Sequence, residues 1–250
     1  MMAVLRCFDS EHRHLGVVEI AERTGLHKSS VSRLMTTLEL EHLVERDPVN
    51  RRYSLGLGLL SVAGTLLADL DVRRTAYPVL IELAARTGES CSLMVWSDDQ
   101  AVCVEQVPSS QTIKHTTSIG TVYRTTASSS VQALLVDRPE AAVDEMLGRG
   151  LLRLQGHVSA PELHAALEQV RLRGAAVNDG ATDPGEVGVS APVVDHRGET
   201  VAAVLVAAPR YRVDKALLGS MVQECMWAAG VVSAALGHPA QDLAGMAEAT

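Results

Sequence analysis

Apolar positions along the chain change their period several times, and each change marks an element. Residues 2–9 put Val4, Leu5 and Phe8 on one side of a first short helix, and 15–18 are a short extended piece. Residues 18–23 form a second helix, and residues 28–41 a third, with Val31, Leu34, Met35 and Leu38 at spacings of three and four. Residues 43–55 alternate around the turn sequence Asp47-Pro48-Val49-Asn50, which predicts a β-hairpin. From 57 to 72 the pattern is helical again, with Leu59, Leu60, Ala63, Leu66, Leu67 and Leu70 in one apolar stripe.

The remainder mixes the two periods. Helices are expected over 78–87, 128–137, 139–147, 161–173 and 214–236. Strands are expected over 90–96, 101–107, 113–119, 187–195 and 201–208. Hairpins interleaved with helices predict an α+β domain around an antiparallel sheet. The pattern divides the chain into 1–56, a linker and dimerisation helix over 57–75, a second domain over 76–237, and a tail over 238–250.

One stretch gives the first domain its chemistry. Ala21, Gly25 and Val31 stand at the spacing of a helix-turn-helix: a small residue where helices cross, a glycine at the turn, an inward β-branched residue on the second helix. Lys28, Ser29, Ser30, Ser32, Arg33 and Thr37 then belong to the outer part of that second helix, short polar and basic groups suited to a DNA major groove. The returning hairpin strand carries Arg51, Arg52 and Tyr53, expected to contact flanking phosphates as a wing.

Composition adjusts this picture in places. The net charge of −8 is uneven: residues 1–74 carry ten Lys/Arg and ten Asp/Glu, so the whole excess lies in residues 75–250. From Leu26 to Leu38 there are two basic residues and no acidic one, and the local field is what DNA meets. The longest apolar run, 201–208, is far short of the ~20 residues that span a bilayer, and charges interrupt the N-terminus, so a cytoplasmic protein with no membrane partner is expected. Cys7, Cys91, Cys103 and Cys225 form no C-x-x-C pair and are read as reduced, buried thiols, with Cys91 and Cys103 able to face each other on adjacent strands. The nine histidines show no helical ligand pair, so no metal or cofactor is expected. Ser128, Ser129 and Ser130 lack a G-x-S-x-G setting and a His–Asp partnership; they read as helix caps or ligand hydrogen bonders, not as a catalytic centre.

Five ordered motifs carry a resemblance. They are V-V-E-I-A-E-R-T-G-L-H-K-S-S-V-S-R-L-M-T-T-L, V-E-R-D-P-V-N-R-R-Y-S-L-G-L-G-L-L, A-Y-P-V-L-I-E-L-A-A-R-T-G-E-S, R-L-R-G-A-A-V-N-D-G, and V-S-A-P-V-V-D-H-R-G-E-T-V-A-A-V-L-V-A-A-P. Together they make the chain resemble the IclR family of bacterial transcriptional regulators over residues 3–237. The resemblance implies a winged helix-turn-helix, a linker helix and a GAF-like effector-sensing domain. It implies a homodimer or homotetramer on a pseudo-palindromic double-stranded operator, with a small-molecule effector changing affinity and repression the commoner mode.

The implied effector contacts are Tyr123, Ser129, Ser130, Asn178, Gly188, Leu205 and Ala207. Several of these depart from the family pattern. Asn178 and Ala181 stand where an acidic residue and a glutamate are usual, and Gly188 where a small polar or thiol residue is usual. Thr126, Val131 and Gln132 replace a His and a Gly-Lys pair, while Leu205 and Ala207 replace serines. These changes predict an effector with more apolar surface than a small keto acid, or a domain without ligand response. A metabolite-binding protein or enzyme with an accessory helix-turn-helix is the alternative.

Overall fold

The computed structural model describes residues 1–9, 11–69, 71–155 and 159–239, apart from the side chains of 64–69. The chain forms two compact units, Met1–Asp69 and Leu70–Thr250.

In the first unit α1 is Met2–Leu5, α2 is Val17–Thr24 and α3 is Lys28–Leu40. α1 is shorter than the expected helix over 2–9. The chain there turns toward Asp9, whose carboxylate takes the N–H groups of Glu11 and His12. Gly25 ends α2 with φ +70, the left-handed conformation that costs glycine least. Ile20, Ala21, Val31, Met35 and Leu38 are buried between the two helices. β1 (Val44–Arg46) and β2 (Tyr53–Leu55) pair antiparallel, with Arg46 opposite Tyr53. Leu15 adds a bridge on the other side of Tyr53, exchanging both backbone hydrogen bonds at 2.8 and 2.9 Å. Helix α4 is Gly58–Asp69. Leu66, Leu67 and Leu70 of its expected stripe lie outside the described side chains.

In the second unit α5 runs from Asp71 to Thr87 with Pro78 inside it, so the helix starts well before the expected 78. Proline removes the donor that would bond the Arg74 carbonyl, yet it does not stop the helix. Ala76, Leu80 and Leu83 are fully buried along one stripe that spans the proline.

β3 (Ser90–Ser97), β4 (Gln100–Val107), β5 (Val122–Tyr123), β6 (Ala176–Asp179), β7 (Glu186–Val194) and β8 (Thr200–Pro209) form an antiparallel sheet of order β5-β4-β3-β8-β7-β6. α9 (Lys215–Ala235) buries Met221, Cys225, Ala228, Ala229 and Val232; its composition and length would also suit a membrane span. The Cys225 thiol approaches the carbonyls of Val189 and Val204 at 3.5 and 3.4 Å, which sets α9 against β7 and β8. On the opposite face lie α6 (Ser129–Leu135) and α8 (Ala160–Arg173), packing Val131, Leu134, Leu163 and Leu167 with Ala203, Leu205 and Ala207; α7 is Glu140–Gly148.

Two expectations fail here. Residues 113–119 are not a strand. Side chains take their carbonyls instead: Ser90 Oγ donates to His115 at 2.6 Å, and Arg212 donates to Ile113 at 3.2 Å. The outer edge of β4 is used by β5, with Ala101 opposite Tyr123. Cys91 and Cys103 do not face each other, because Cys91 stands opposite Val107 and Cys103 opposite Met94.

Candidate nucleic-acid interface and ligand site

Helix α3 presents a continuous polar face. Lys28, Ser29, Ser32, Arg33, Thr36 and Thr37 are exposed, while Val31, Met35 and Leu38 turn inward. Ser30 is half-buried, and its N–H closes on the His27 carbonyl at 2.9 Å. Thr37 Oγ1 donates to the Arg33 carbonyl at 3.1 Å, a bond local to the helix. Among the described residues the side chains of Lys28 and Arg33 have no ion-pair partner. His27, at the N-cap and exposed, shares this end of the helix. It went unread in the sequence because it precedes the periodic run.

The hairpin tip is held by Asp47. Its carboxylate accepts the N–H groups of Val49 at 2.7 Å and Asn50 at 3.2 Å, and the Asn50 side-chain amide at 2.7 Å. Those N–H donors, Val49 foremost, hold the Asp47 pKa below its ordinary value. Arg51 follows at φ +60, exposed.

The next two residues point elsewhere. Arg52 donates to the His14 carbonyl at 2.7 and 3.1 Å and to Glu19 Oε1 at 2.8 Å. Tyr53, 3% exposed, lies in the core with Leu15, Ile20 and Val44. Its ring is therefore not a DNA contact, and Arg52 serves first as a brace between wing and α2. No sequence signal marked Glu19 and His14 as its partners, since they lie 33 and 38 residues away.

In the second unit the residues expected at the effector site converge only in part. A Cβ on Gly188 would lie 3.3 Å from Ser129 Oγ and 3.5 Å from Leu205 Cδ1, so these three share one small space. Ala207 stands opposite Gly188 across the sheet, and Tyr123 packs against the cluster holding Leu205 and Ala207. Ser129 and Ser130 both reach Ser190 Oγ, at 3.0 and 3.1 Å. The expected cap fails: Ser128 occupies the N-cap of α6 without a side-chain cap bond. Asn178 stands opposite Gly188, but its amide is consumed locally, donating to Thr182 Oγ1 and accepting the Ala181 N–H at 2.9 Å.

Glu186, His115, Thr117 and Ser190 join this space without having been expected there. Glu186 Oε2 is 3.5 Å from His115 Nδ1, and His115 Nε2 is 3.0 Å from Thr117 Oγ1. Burial raises the Glu186 pKa, an effect the Asp183 charge adds to and His115 opposes. Burial also raises Tyr123, against a hydrogen bond from Thr117. Glu186 was legible by strand alternation, two positions from Gly188; His115 and Thr117 come from a loop and were not.

Burial pushes the thiols up as well, Cys91 to about 12 and Cys103 to about 11. Among the described residues no group of three or more His, Cys, Asp or Glu is arranged to hold a metal ion.

Comparison with known proteins agrees with both units. Residues 1–48 match the IclR helix-turn-helix domain, and residues 64–234 match the bacterial transcriptional regulator IclR C-terminal domain. The HTH-type transcriptional regulator XynR of Escherichia coli K12 is 26% identical over 249 residues, covering 96% of each chain. The crystal structure of a transcriptional regulator from Rhodococcus sp. RHA1 is 27% identical, covers 94% of this chain and 96% of its own, and superposes with a TM-score of 0.80. An IclR homologue from Microbacterium hydrocarbonoxydans, solved in complex with 4-hydroxybenzoate, shares the fold at 20% identity and a TM-score of 0.78, covering 94% of this chain and 97% of its own.

Proposed function

The chain belongs to the IclR family of bacterial transcriptional regulators, a DNA-binding and not an enzymatic family, and from that premise we propose that it is an operator-binding repressor controlled by a small-molecule effector. The observation that carries this reading is the open polar face of α3, where Lys28, Ser29, Ser32, Arg33 and Thr37 stand clear of the core. Arg33 and Lys28 reach base edges or phosphates, and Arg51 at the wing tip takes a flanking phosphate. Repression is the sign the family resemblance carries.

A pseudo-palindromic operator needs two such faces. Leu57, Leu60 and Val62 are 73%, 65% and 69% exposed in the stretch that opens α4, and apolar surface of this kind favours pairing with a second copy. The proposed assembly is a homodimer, or a homotetramer built from it, acting in the cytoplasm where the DNA is. The proposed division of the chain is 1–56 for DNA, 57–75 for the linker and pairing, 76–237 for the effector, with a tail over 238–250. Residues 240–250 lie outside the described residues.

The proposed effector space lies between α6 and the sheet, among Ser129, Gly188 and Leu205, with Tyr123 and Ala207 beside it. The 4-hydroxybenzoate complex of the Microbacterium homologue supports a small organic ligand for this fold. Such a ligand shifts operator affinity only through a difference in its binding to two states of the protein. The test is fluorescence anisotropy on DNA from the chain's own upstream region over a range of salt. Log K should fall linearly with log salt, with a slope of about −0.9 per neutralised phosphate. A salt-independent complex would instead favour a protein-contact role.

A further inference from the structure

The least expected wall of the ligand site is acidic. Glu186 and Gly188 lie two positions apart on β7 and so share the face toward α6. Glu186 Oε1 is 3.6 Å from the position a Gly188 Cβ would take, the same point that Ser129 Oγ and Leu205 Cδ1 border. Its other oxygen faces His115, which leads on to Thr117 and then to the Tyr123 phenol. One side of the space is thus carboxylate, imidazole and hydroxyl, while Leu205 makes another side apolar.

The two arginines just beyond β8 are already engaged. Arg210 is paired with Asp179 at 2.6 Å, and Arg212 holds Glu89 at 2.7 and 2.8 Å. Arg124 makes a looser pair with Asp99 at 3.6 Å, its buried Nε donating no hydrogen bond, and Lys114 Nζ donates to the Ser109 carbonyl at 2.9 Å. The other acid acting on Glu186 is Asp183. A ligand carboxylate entering beside Glu186 would meet like charge, while Arg210 and Arg212 are committed to other acids. An N–H or O–H donor would instead form a charge-assisted hydrogen bond. Burial already disfavours the Glu186 charge, so a donor arriving there relieves a cost that an anion would deepen.

Resting on the reading of this space as the effector site, we propose that Glu186 selects the effector by polarity. The site takes a small molecule with an apolar body against Leu205 and a neutral or cationic hydrogen-bond donor against Glu186. It rejects the same body ending in a carboxylate.

Benzamidine, benzamide and benzoate share one ring and differ only in that end group, so they are the probes. Calorimetric titration of the full-length chain should show benzamidine and benzamide binding at least about tenfold more tightly than benzoate, the order expected of one hydrogen bond to a charged group. Glu186→Gln should remove most of that gap, and Glu186→Met, which keeps the apolar stem, should do the same. Both variants should melt cooperatively at a temperature close to that of the wild type. If the wild type binds benzoate as tightly as benzamide, or if the gap survives both variants, the role of Glu186 is overturned. Gly188→Leu separates the two readings, because its side chain would fill the space itself. Loss of all binding in that variant places the probes in the site. Undiminished binding in that variant, or no binding of any probe to the wild type, overturns the effector site and the selection rule together.

Discussion

Arg52 donates a guanidinium N–H to Glu19 Oε1 at 2.8 Å, while Oε2 of the same carboxylate accepts the Gly16 N–H at 2.7 Å. One side chain thus ties the wing to the first residues of α2. The helix start is capped from within, and the wing is braced through the same group. Arg51 and Arg52 of the wing therefore have different duties. Arg51→Ala should leave the melting temperature unchanged and flatten the salt slope of DNA binding by about one. Arg52→Ala should lower the melting temperature of the first unit and weaken binding to all sequences together. Differential scanning calorimetry and anisotropy on the two variants check this; equal melting temperatures would remove the brace.

Tyr53 supplies a second contrast. The Arg46 guanidinium on β1 lies 5.5 Å from the centre of its ring, which sits in the core of the first unit with Leu15. Truncation to alanine should cost about 3–5 kcal/mol, as for other large buried rings. Tyr53→Phe keeps the ring and should bind operator DNA as the wild type does. A large loss of affinity in a normally folded Tyr53→Phe would return the hydroxyl to the interface.

Acid should loosen the wing in a defined window. Glu19 and Asp47 both have pKa values below their ordinary 4.5 and 3.8, chiefly through the N–H groups of Gly16 and Val49. For an acid lowered in this way, the stabilisation is present above the unfolded-state value. It is lost as pH falls through the lower folded value. The Val49 and Gly16 amide resonances should therefore hold their positions down to ordinary carboxylate pH and shift only below it. A titration midpoint at or above the ordinary values would contradict these bonds.

The thiols should be inert in the folded chain. With Cys91 pushed to about 12 and Cys103 to about 11, and both buried, little thiolate is present at mild pH. Iodoacetamide should modify them only on unfolding, which mass spectrometry reads directly. Rapid labelling of Cys91 or Cys103 in the native protein would mean that the β3–β4 region opens.

These cases show what the sequence made legible. Periodicity marked α2, α3, the wing and α8 because each buries one regular face, and unbroken apolar runs marked β7 and β8, which are covered on both faces. Gly25 and Gly174 announced helix ends that the structure has, at φ +70 and +76. Misreadings came where a distant partner overrides local pattern. Tyr53 sits in a strand that reads as exposed wing until Leu15 covers its second side. Arg52 reads as a cation without a protein partner because His14 and Glu19 lie far off in sequence. Residues 113–119 alternate like a strand, but Ser90 and Arg212 take the carbonyls a ladder would need. At the proposed ligand site Gly188, Leu205 and Ser129 were found through motif positions and Glu186 was within reach of strand alternation, whereas His115 and Thr117 needed the loop in space.

The central claim is that α3 reads DNA. Its most direct test is a DNase I footprint of the full-length chain on its own upstream DNA, beside Arg33→Ala. The account predicts two protected half-sites about one helical turn, ~34 Å, or a multiple apart, with Arg33→Ala losing preference at one base position in each half-site by ~1–3 kcal/mol. An unchanged footprint and base preference in Arg33→Ala, or protection without half-sites, would contradict it.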